Sequence, residues 1–452
     1  MKKKDKKNIS RRKFIAGSAS ATFAFQFVPA SMFGADAPSN KLNIAGIGIG
    51  GMGASNLSQC EKENIVALCD VDSKYAAHTF RKYPKAKRYT DYRVMLDKQK
   101  DIDAVVIATP DHTHAVITMA ALEAGKHAYC QKPLTHTVVE ARKITEAARH
   151  TNVQTQMGNQ GHSSEHIRLL KEWLAAGAIG NVTEVYAWTD RPAGGDPWST
   201  FAVRAQPEDK PPVPETLDWD LWLGPVAYRP YHPEYHPLKW RAWLDFGTGA
   251  LGDMGCHILD PAFWALDLGA PESIEATSTH WQPDVSSQTF PRASIVRYQF
   301  PARGNRPPVK LTWYDGRLLP PIPDELEPGR KIPDSGAFII GDKGTIMHGS
   351  HGAGGMRLIP EEKMKAYTPP EKTIPRVNTS HEGDWLRACK EGTPASSTFE
   401  YGGALTEMVL LGMIAIRMKD QKLIWDTEQL KFTNNDKANE LLHINYRKGW
   451  SL

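Results

Sequence analysis

Leu42-Asn43-Ile44-Ala45-Gly46-Ile47-Gly48-Ile49-Gly50-Gly51-Met52-Gly53 is the stretch that decides the fold. Its first six residues read as a buried strand, and the remainder opens a helix that we expect to run to about Glu63. Between them lies the spacing G-x-G-x-x-G on Gly48, Gly50 and Gly53. Gly48 permits the tight turn. Gly50 lets a diphosphate approach the backbone, with Gly51 and Met52 beside it. Gly53 lets the helix pack on the strand, so that its N-terminus faces the phosphate charge. Alone this motif is weak; its context raises it. A second strand, Ile65–Cys69, ends at Asp70, 20 residues beyond Gly50, where an acid binds the adenosine ribose hydroxyls. A carboxylate there repels a 2′-phosphate, which favours NAD over NADP.

The alternation continues with strands at 103–108, 127–130 and 153–156 and helices at 115–124 and 138–150. Strands and helices alternating at this length imply a parallel, doubly wound sheet, with ligands outside the carboxyl ends of the strands. Thr109, Pro110, His114, Lys132 and Asn159 fall at such ends and join the glycines and Asp70 as candidate cofactor contacts.

Downstream, Gly247, Gly249, Gly252 and Gly255 surround Asp253 and His257, which are spaced i, i+4 on a helix and so share one face. Oxidising an alcohol needs a base for the hydroxyl proton and a positive group for the developing alkoxide. An imidazole titrating near neutrality suits the first task. On spacing alone an exposed helical pair is the commoner reading. Asp260, one turn on, reads as structural. A metal site built from Asp253, His257 and His112 fits no ligand signature, and no metal is expected.

These motifs together resemble the Gfo/Idh/MocA oxidoreductase family: the glycine fingerprint, Asp70, Thr109-Pro110-x-x-x-His114, Lys132-Pro133, Gly158-Asn159, and Gly249-Ala250-Leu251-Gly252-Asp253-Met254-Gly255-Cys256-His257. The resemblance reverses the preference at Asp253 and His257. It implies that Lys132, Asp253 and His257 form a catalytic trio, with Lys132 near both the nicotinamide and the substrate hydroxyl. One departure is that Gln131 precedes Lys132, where the family usually has Glu. By charge alone, losing that anion lowers the pKa of the lysine.

The expected fold class is α/β: an N-terminal Rossmann dinucleotide-binding domain (38–160) and a C-terminal α+β domain (161–452) with a large, mostly antiparallel open sheet. Strand candidates are 273–279, 293–300, 309–313 and 337–340, with a turn at 341–344. Residues 315–335 read as a long surface loop, and 381–391 and 404–418 as amphipathic helices returning to the dinucleotide domain. An open sheet face needs cover, and the resemblance implies that it supports a homo-oligomer, a dimer or tetramer. Arg191, His236, Lys239 and Trp240 are candidate substrate contacts, because aromatics with Arg, Lys and His suit a saccharide; a packed irregular loop has the same composition.

The remaining composition sets limits. The formal net charge is +4, but Met1–Ser10 holds five lysines, so the body is near neutral and nothing argues for nucleic acid. Five Cys without metal-ligand spacing read as free thiols. Thirteen Trp suit both sugar stacking and core filling. Residues 1–37 read as a twin-arginine signal peptide: a basic stretch, then Ser10-Arg11-Arg12-Lys13-Phe14-Ile15, then an apolar run to Val28 too short for a membrane span. Export to the periplasm implies NAD tightly bound before departure. The sequence therefore predicts an exported NAD-dependent oxidoreductase acting on a CH–OH group of a sugar, glycoside or other polyol, with C3 oxidation to a keto sugar as its sharper form. The alternative is an NAD-dependent glycosidase working by transient oxidation and elimination.

Overall fold

The computed structural model describes residues 40–192, 205–279 and 288–452; the leader read in residues 1–37 lies outside the described residues. The first sheet is parallel throughout, with strand order β3-β2-β1-β4-β5-β6. Its strands are β1 (Asn43–Ile47), β2 (Asn64–Cys69), β3 (Lys87–Tyr89), β4 (Ala104–Ile107), β5 (His127–Cys130) and β6 (Thr155–Met157). The helices between them are α1 (Met52–Gln59), α2 (Ala77–Lys82), α3 (Tyr92–Lys98), α4 (Asp111–Glu123) and α5 (Val138–Arg149). β4 is buried at every residue, which is why it reads as a continuous apolar run. α1 stops four residues short of the expected Glu63. α4 starts at Asp111, not at Ala115, because Pro110 takes the N-cap position, its φ of −61° leading straight into the helix while its ψ is still extended. β3, α2 and α3 have too little apolar periodicity to be read from sequence.

The chain then forms α6 (Glu165–Ala175), β7 (Val182–Trp188), α7 (Trp219–Leu223), α8 (Gly249–Ile258), α9 (Asp260–Ala265), β8 (Ser273–Ser278), β9 (Ser294–Phe300), β10 (Val309–Tyr314), β11 (Gly336–Gly341), β12 (Gly344–Gly349) and β13 (Arg357–Ile359). It finishes with α10 (Glu361–Ala366), α11 (His381–Glu391), α12 (Phe399–Arg417), β14 (Leu423–Asp426), β15 (Lys431–Phe432) and α13 (Asp436–Glu440). The second sheet has nine strands in the order β13-β12-β11-β7-β10-β9-β8-β14-β15. Only β7 and β10 run parallel, so the expected antiparallel character holds.

One face of this sheet (Val185, Leu311, Trp313, Val296, Tyr298, Ile274) packs on α12 in the main core. α12 is not amphipathic, as expected for 404–418, but buried almost all round; it is long and apolar enough to span a bilayer, yet 83% of it lies inside the protein. On the other face, the long loop before β11 covers Trp188 and Phe338 with Leu326 and Ile332. α11 does return to the first sheet: Trp385 is fully buried against it, and Asn56 Nδ2 donates to Glu382 Oε1 at 2.7 Å. The five cysteines are free, four of them buried.

Candidate active site

A cavity of about 440 Å³ runs from the glycine turn to α8. Gly48 sits at φ 75°, which favours glycine. Asp70 reaches back under the turn: its Oδ2 accepts from Ile49 N at 2.8 Å and its Oδ1 from Asp72 N at 2.9 Å. Burial pushes its carboxyl up to about 6, against the pull of those amides, so it is mostly ionised at neutral pH. A bare backbone turn, a helix N-terminus and a ribose-reading carboxylate in one cavity fit a dinucleotide. One side chain shares that space. The Tyr75 ring lies so close that a Cβ on Gly50 would sit 2.1 Å from its Cδ1, and one on Gly51 2.9 Å from its hydroxyl oxygen.

At the other end Lys132 meets α8. Its Nζ donates to the Asp253 carbonyl at 2.5 Å and to Asp253 Oδ1 at 2.9 Å. Arg191 Nη1 donates to Oδ2 at 2.8 Å, and Arg241 Nε lies 3.7 Å from Oδ1. Burial alone would raise the Asp253 pKa, but Lys132, Arg241 and Arg191 outweigh it and hold the carboxyl far below the usual range. His257 lies one turn along α8, as the i, i+4 spacing requires. Burial, reinforced by Lys132 and His351, holds its pKa well below the ordinary value, so the ring is neutral and can accept a proton. Gln131 does not face Lys132: its Nε2 donates to Asn56 Oδ1 at 3.0 Å. The lysine's anionic neighbour is Asp253 instead.

Met52, Thr109 and Pro110 line the cavity with Gly48, Gly50 and Gly51. Gly53 does not; it packs α1 on the turn. Four other residues singled out in the sequence sit differently from expectation. His114 borders the cavity, but both ring nitrogens face backbone carbonyls, Pro133 at 2.7 Å and Thr109 at 2.9 Å. Burial opposes its charge, but Cys130, Asp111 and the Pro133 carbonyl push its pKa up to about 9. It ties the end of β4 to the Lys132 turn, so it positions the site rather than offering a ring nitrogen to a ligand. Asn159 is fully buried outside the cavity lining, because the chain turns there toward Ser397, whose hydroxyl donates to its Oδ1 at 2.7 Å. His236 lies at the glycine-turn end, its Nε2 2.8 Å from Asp72 Oδ2 and its ring edge-on to Tyr75, not at the Lys132 end. Lys239 is drawn away from the cavity into an ion pair with Glu234.

Trp240 does line the cavity, with the Arg241 guanidinium 4.2 Å over its ring. Most of the tryptophans nearby (Trp219, Trp222, Trp243) fill an aromatic core with Tyr235 and Phe246. Asp260 is structural as read, accepting from His162 Nδ1 at 2.8 Å and from the Tyr401 hydroxyl. His112 places its ring nitrogens 2.9 Å from Trp222 O and 3.3 Å from Phe246 O, so it cannot join Asp253 and His257 around a metal. The sequence reading missed Tyr75 and His351; both line the cavity, as does Arg241.

Two family models match in succession. An oxidoreductase-family NAD-binding Rossmann fold covers residues 42–159, and the C-terminal alpha/beta domain of the same oxidoreductase family covers residues 165–299. The chain belongs to the Gfo/Idh/MocA oxidoreductase family. Among relatives of this family, levoglucosan dehydrogenase of Pseudarthrobacter phenanthrenivorans is 27% identical over 218 residues, 48% of this chain and 46% of that protein. D-glucoside 3-dehydrogenase of Escherichia coli is 26% identical over 244 residues, 53% of this chain and 58% of that protein. The match thus spans about half the length of these relatives. The crystal structure of aldose-aldose oxidoreductase from Caulobacter crescentus superposes with a TM-score of 0.56 at 16% identity, covering 85% of this chain and all of that one, a likeness of fold.

Proposed function

We propose that this chain is an NAD-dependent oxidoreductase that oxidises a CH–OH group of a sugar or glycoside, with C3 of a pyranoside as the favoured position. The observation that carries the reading is the meeting of Lys132, Asp253 and neutral His257 in the cavity that begins at the glycine turn. Relatives named for levoglucosan and D-glucoside 3-oxidation support the substrate class. Gly48–Gly53 and Asp70 would hold NAD, which supplies the hydride acceptor when bound. Lys132 donates to the substrate oxygen and steadies its developing charge, and His257 takes the hydroxyl proton. Asp253 fixes the lysine and Arg191 in place. Relatives named for sugar dehydrogenation favour oxidation, so the elimination route is not carried forward.

Purified protein with NAD should convert a methyl glucopyranoside to a keto sugar with stoichiometric NADH. Release of methanol without NADH, or no reaction with any pyranoside, rejects this reading.

The leader pattern supports export with the cofactor already bound, and the walls that Tyr75, His236 and Trp240 add to the cavity support tight retention. The antiparallel sheet supports a homo-oligomer. Two outcomes follow for the cofactor. Asp70→Ala removes the ribose acceptor and the charge that repels a 2′-phosphate; the ratio of NAD to NADP affinity should fall at least about tenfold by calorimetry. Tyr75→Ala clears the space above Gly50, so stopped-flow NAD association should quicken about threefold to tenfold, because the ring no longer has to turn aside first.

A further inference from the structure

Three cations approach one carboxylate at the Lys132 end of the cavity, and two of them suffice to hold it. Lys132 Nζ donates to Asp253 Oδ1 at 2.9 Å, and Arg191 Nη1 donates to Oδ2 at 2.8 Å, so each oxygen has its own cation. Arg241 stands outside this arrangement. Its Nε is 3.7 Å from Oδ1, beyond hydrogen-bond reach. Among the described residues its guanidinium meets one acceptor, the Leu238 carbonyl, at 3.4 Å from Nη1. Asp111, the other buried acid that feels its charge, accepts from Thr248 Oγ1 at 2.6 Å and has the His114 charge to answer it. Asp111 therefore does not claim Arg241 either.

The position of Arg241 is nonetheless fixed. It lies on the single turn Lys239–Ala242, and Gly247 packs so closely on that turn that a Cβ there would be 2.6 Å from Arg241 Cα. The guanidinium rests 4.2 Å over the Trp240 ring. Both side chains line the cavity, and that of Arg241 is 21% exposed. A planar fork of N–H donors, held in a cavity with most of its hydrogen bonds unmade, matches a carboxylate, which takes two parallel hydrogen bonds from it. A neutral hydroxyl would leave that charge without a counter-ion.

We propose that Arg241 reads a carboxylate on the substrate, and that the preferred substrate is a glycoside of a hexuronic acid. Lys132 and Arg241 both approach Asp253 Oδ1, so a pyranoside whose C3 hydroxyl meets Lys132 brings the substituent on C5, two ring atoms away, toward Arg241. The reaction itself is unaltered: the C–H electron pair leaves as hydride to NAD, the O–H proton passes to His257, and the carboxylate is carried through intact. The proposal rests on the dehydrogenase reading above and narrows its substrate.

The full chain with NAD is assayed on methyl glucopyranoside, methyl glucopyranosiduronate and methyl glucopyranoside 6-phosphate. The uronate should give a kcat/KM at least about tenfold above that of the neutral glycoside, mainly through KM and less so at high salt. Arg241→Met should cut that ratio about tenfold to a hundredfold, and Arg241→Lys, which keeps the charge without the fork, should cut it by less. NAD affinity by calorimetry should stay within about threefold in both variants. Where Arg241→Met does not fold, the wild-type preference and Arg241→Lys decide the matter. A wild-type ratio near one, a ratio unmoved by Arg241→Met, or a loss of NAD affinity that accounts for the lost activity overturns the assignment; the last places Arg241 on the cofactor's diphosphate. A preference for the 6-phosphate over the uronate overturns the carboxylate in favour of a phosphate. Each of these results leaves the dehydrogenase reading standing as long as the neutral glycoside yields NADH. No NADH from any of the three removes both.

Discussion

Lys132→Met is expected to lower kcat/KM for the sugar by about a thousandfold, because it removes the group that steadies the developing alkoxide, an effect for which a single lost donor costs about 10²–10³. The fold should survive it. Orphaning a buried charge commonly costs about 3–5 kcal/mol. Asp253, however, keeps Arg191 at 2.8 Å and Arg241 at 3.7 Å, so its carboxylate is not left alone. A loss of about 1–2 kcal/mol in denaturant unfolding is the expected penalty. NAD affinity should change little, since the glycine turn and Asp70 are untouched. The reading is therefore a split: catalysis collapses while cofactor binding and folding persist. A kcat/KM within tenfold of wild type would remove Lys132 from the chemistry. Equal losses in NAD binding and in activity would make its role structural.

How far the sequence carries depends on the range of the interactions that set each residue. Gly48, Gly50 and Gly53 were legible because their constraint is local: a turn, a close approach and a helix–strand contact within six residues. Asp70 was legible because strand and helix lengths in a βαβ unit fix its distance from the turn. Lys132, Asp253 and His257 rest on family resemblance, and the contact between Lys132 and Asp253 spans 121 residues. No periodicity encodes such a contact. The same reason explains the errors. His236 lies 17 residues before Asp253 in the chain, and was assigned to that end; its partner is Asp72, 164 residues away. Lys239 has the right chemistry, but Glu234, five residues off, claims it. His351 and Tyr75 carry no motif: one is brought in by a turn pinned to Ser164, the other by the fold of the loop after Asp70. The tryptophans show the limit of composition. It suggested sugar stacking, and packing used most of them in an aromatic core.

Gly53→Ala should abolish dinucleotide binding although it adds one methyl group far from the reacting atoms. A Cβ at Gly53 would lie 2.1 Å from Gly48 O, 3.0 Å from Gly48 C and 3.2 Å from Ala108 Cβ. The first two atoms are backbone of the turn itself. Gly48 cannot retreat, because it already presses on β4: a Cβ of its own would be 2.8 Å from the Ala108 carbonyl. So α1 must tilt away from β1 or the turn must open, and either moves the amides that face the diphosphate. Overpacking of this kind costs about 1–3 kcal/mol of stability. Loss of the aligned amides should raise the NAD Kd at least about a hundredfold, or about 2.7 kcal/mol. Gly51→Ala is the matched control. Its nearest obstacle is the Tyr75 hydroxyl oxygen at 2.9 Å, the far end of a side chain that can move. Calorimetry should therefore show near-wild-type NAD binding for Gly51→Ala and none measurable for Gly53→Ala. If both bind alike, the turn is not what holds the cofactor, and a site elsewhere in the cavity has to be sought.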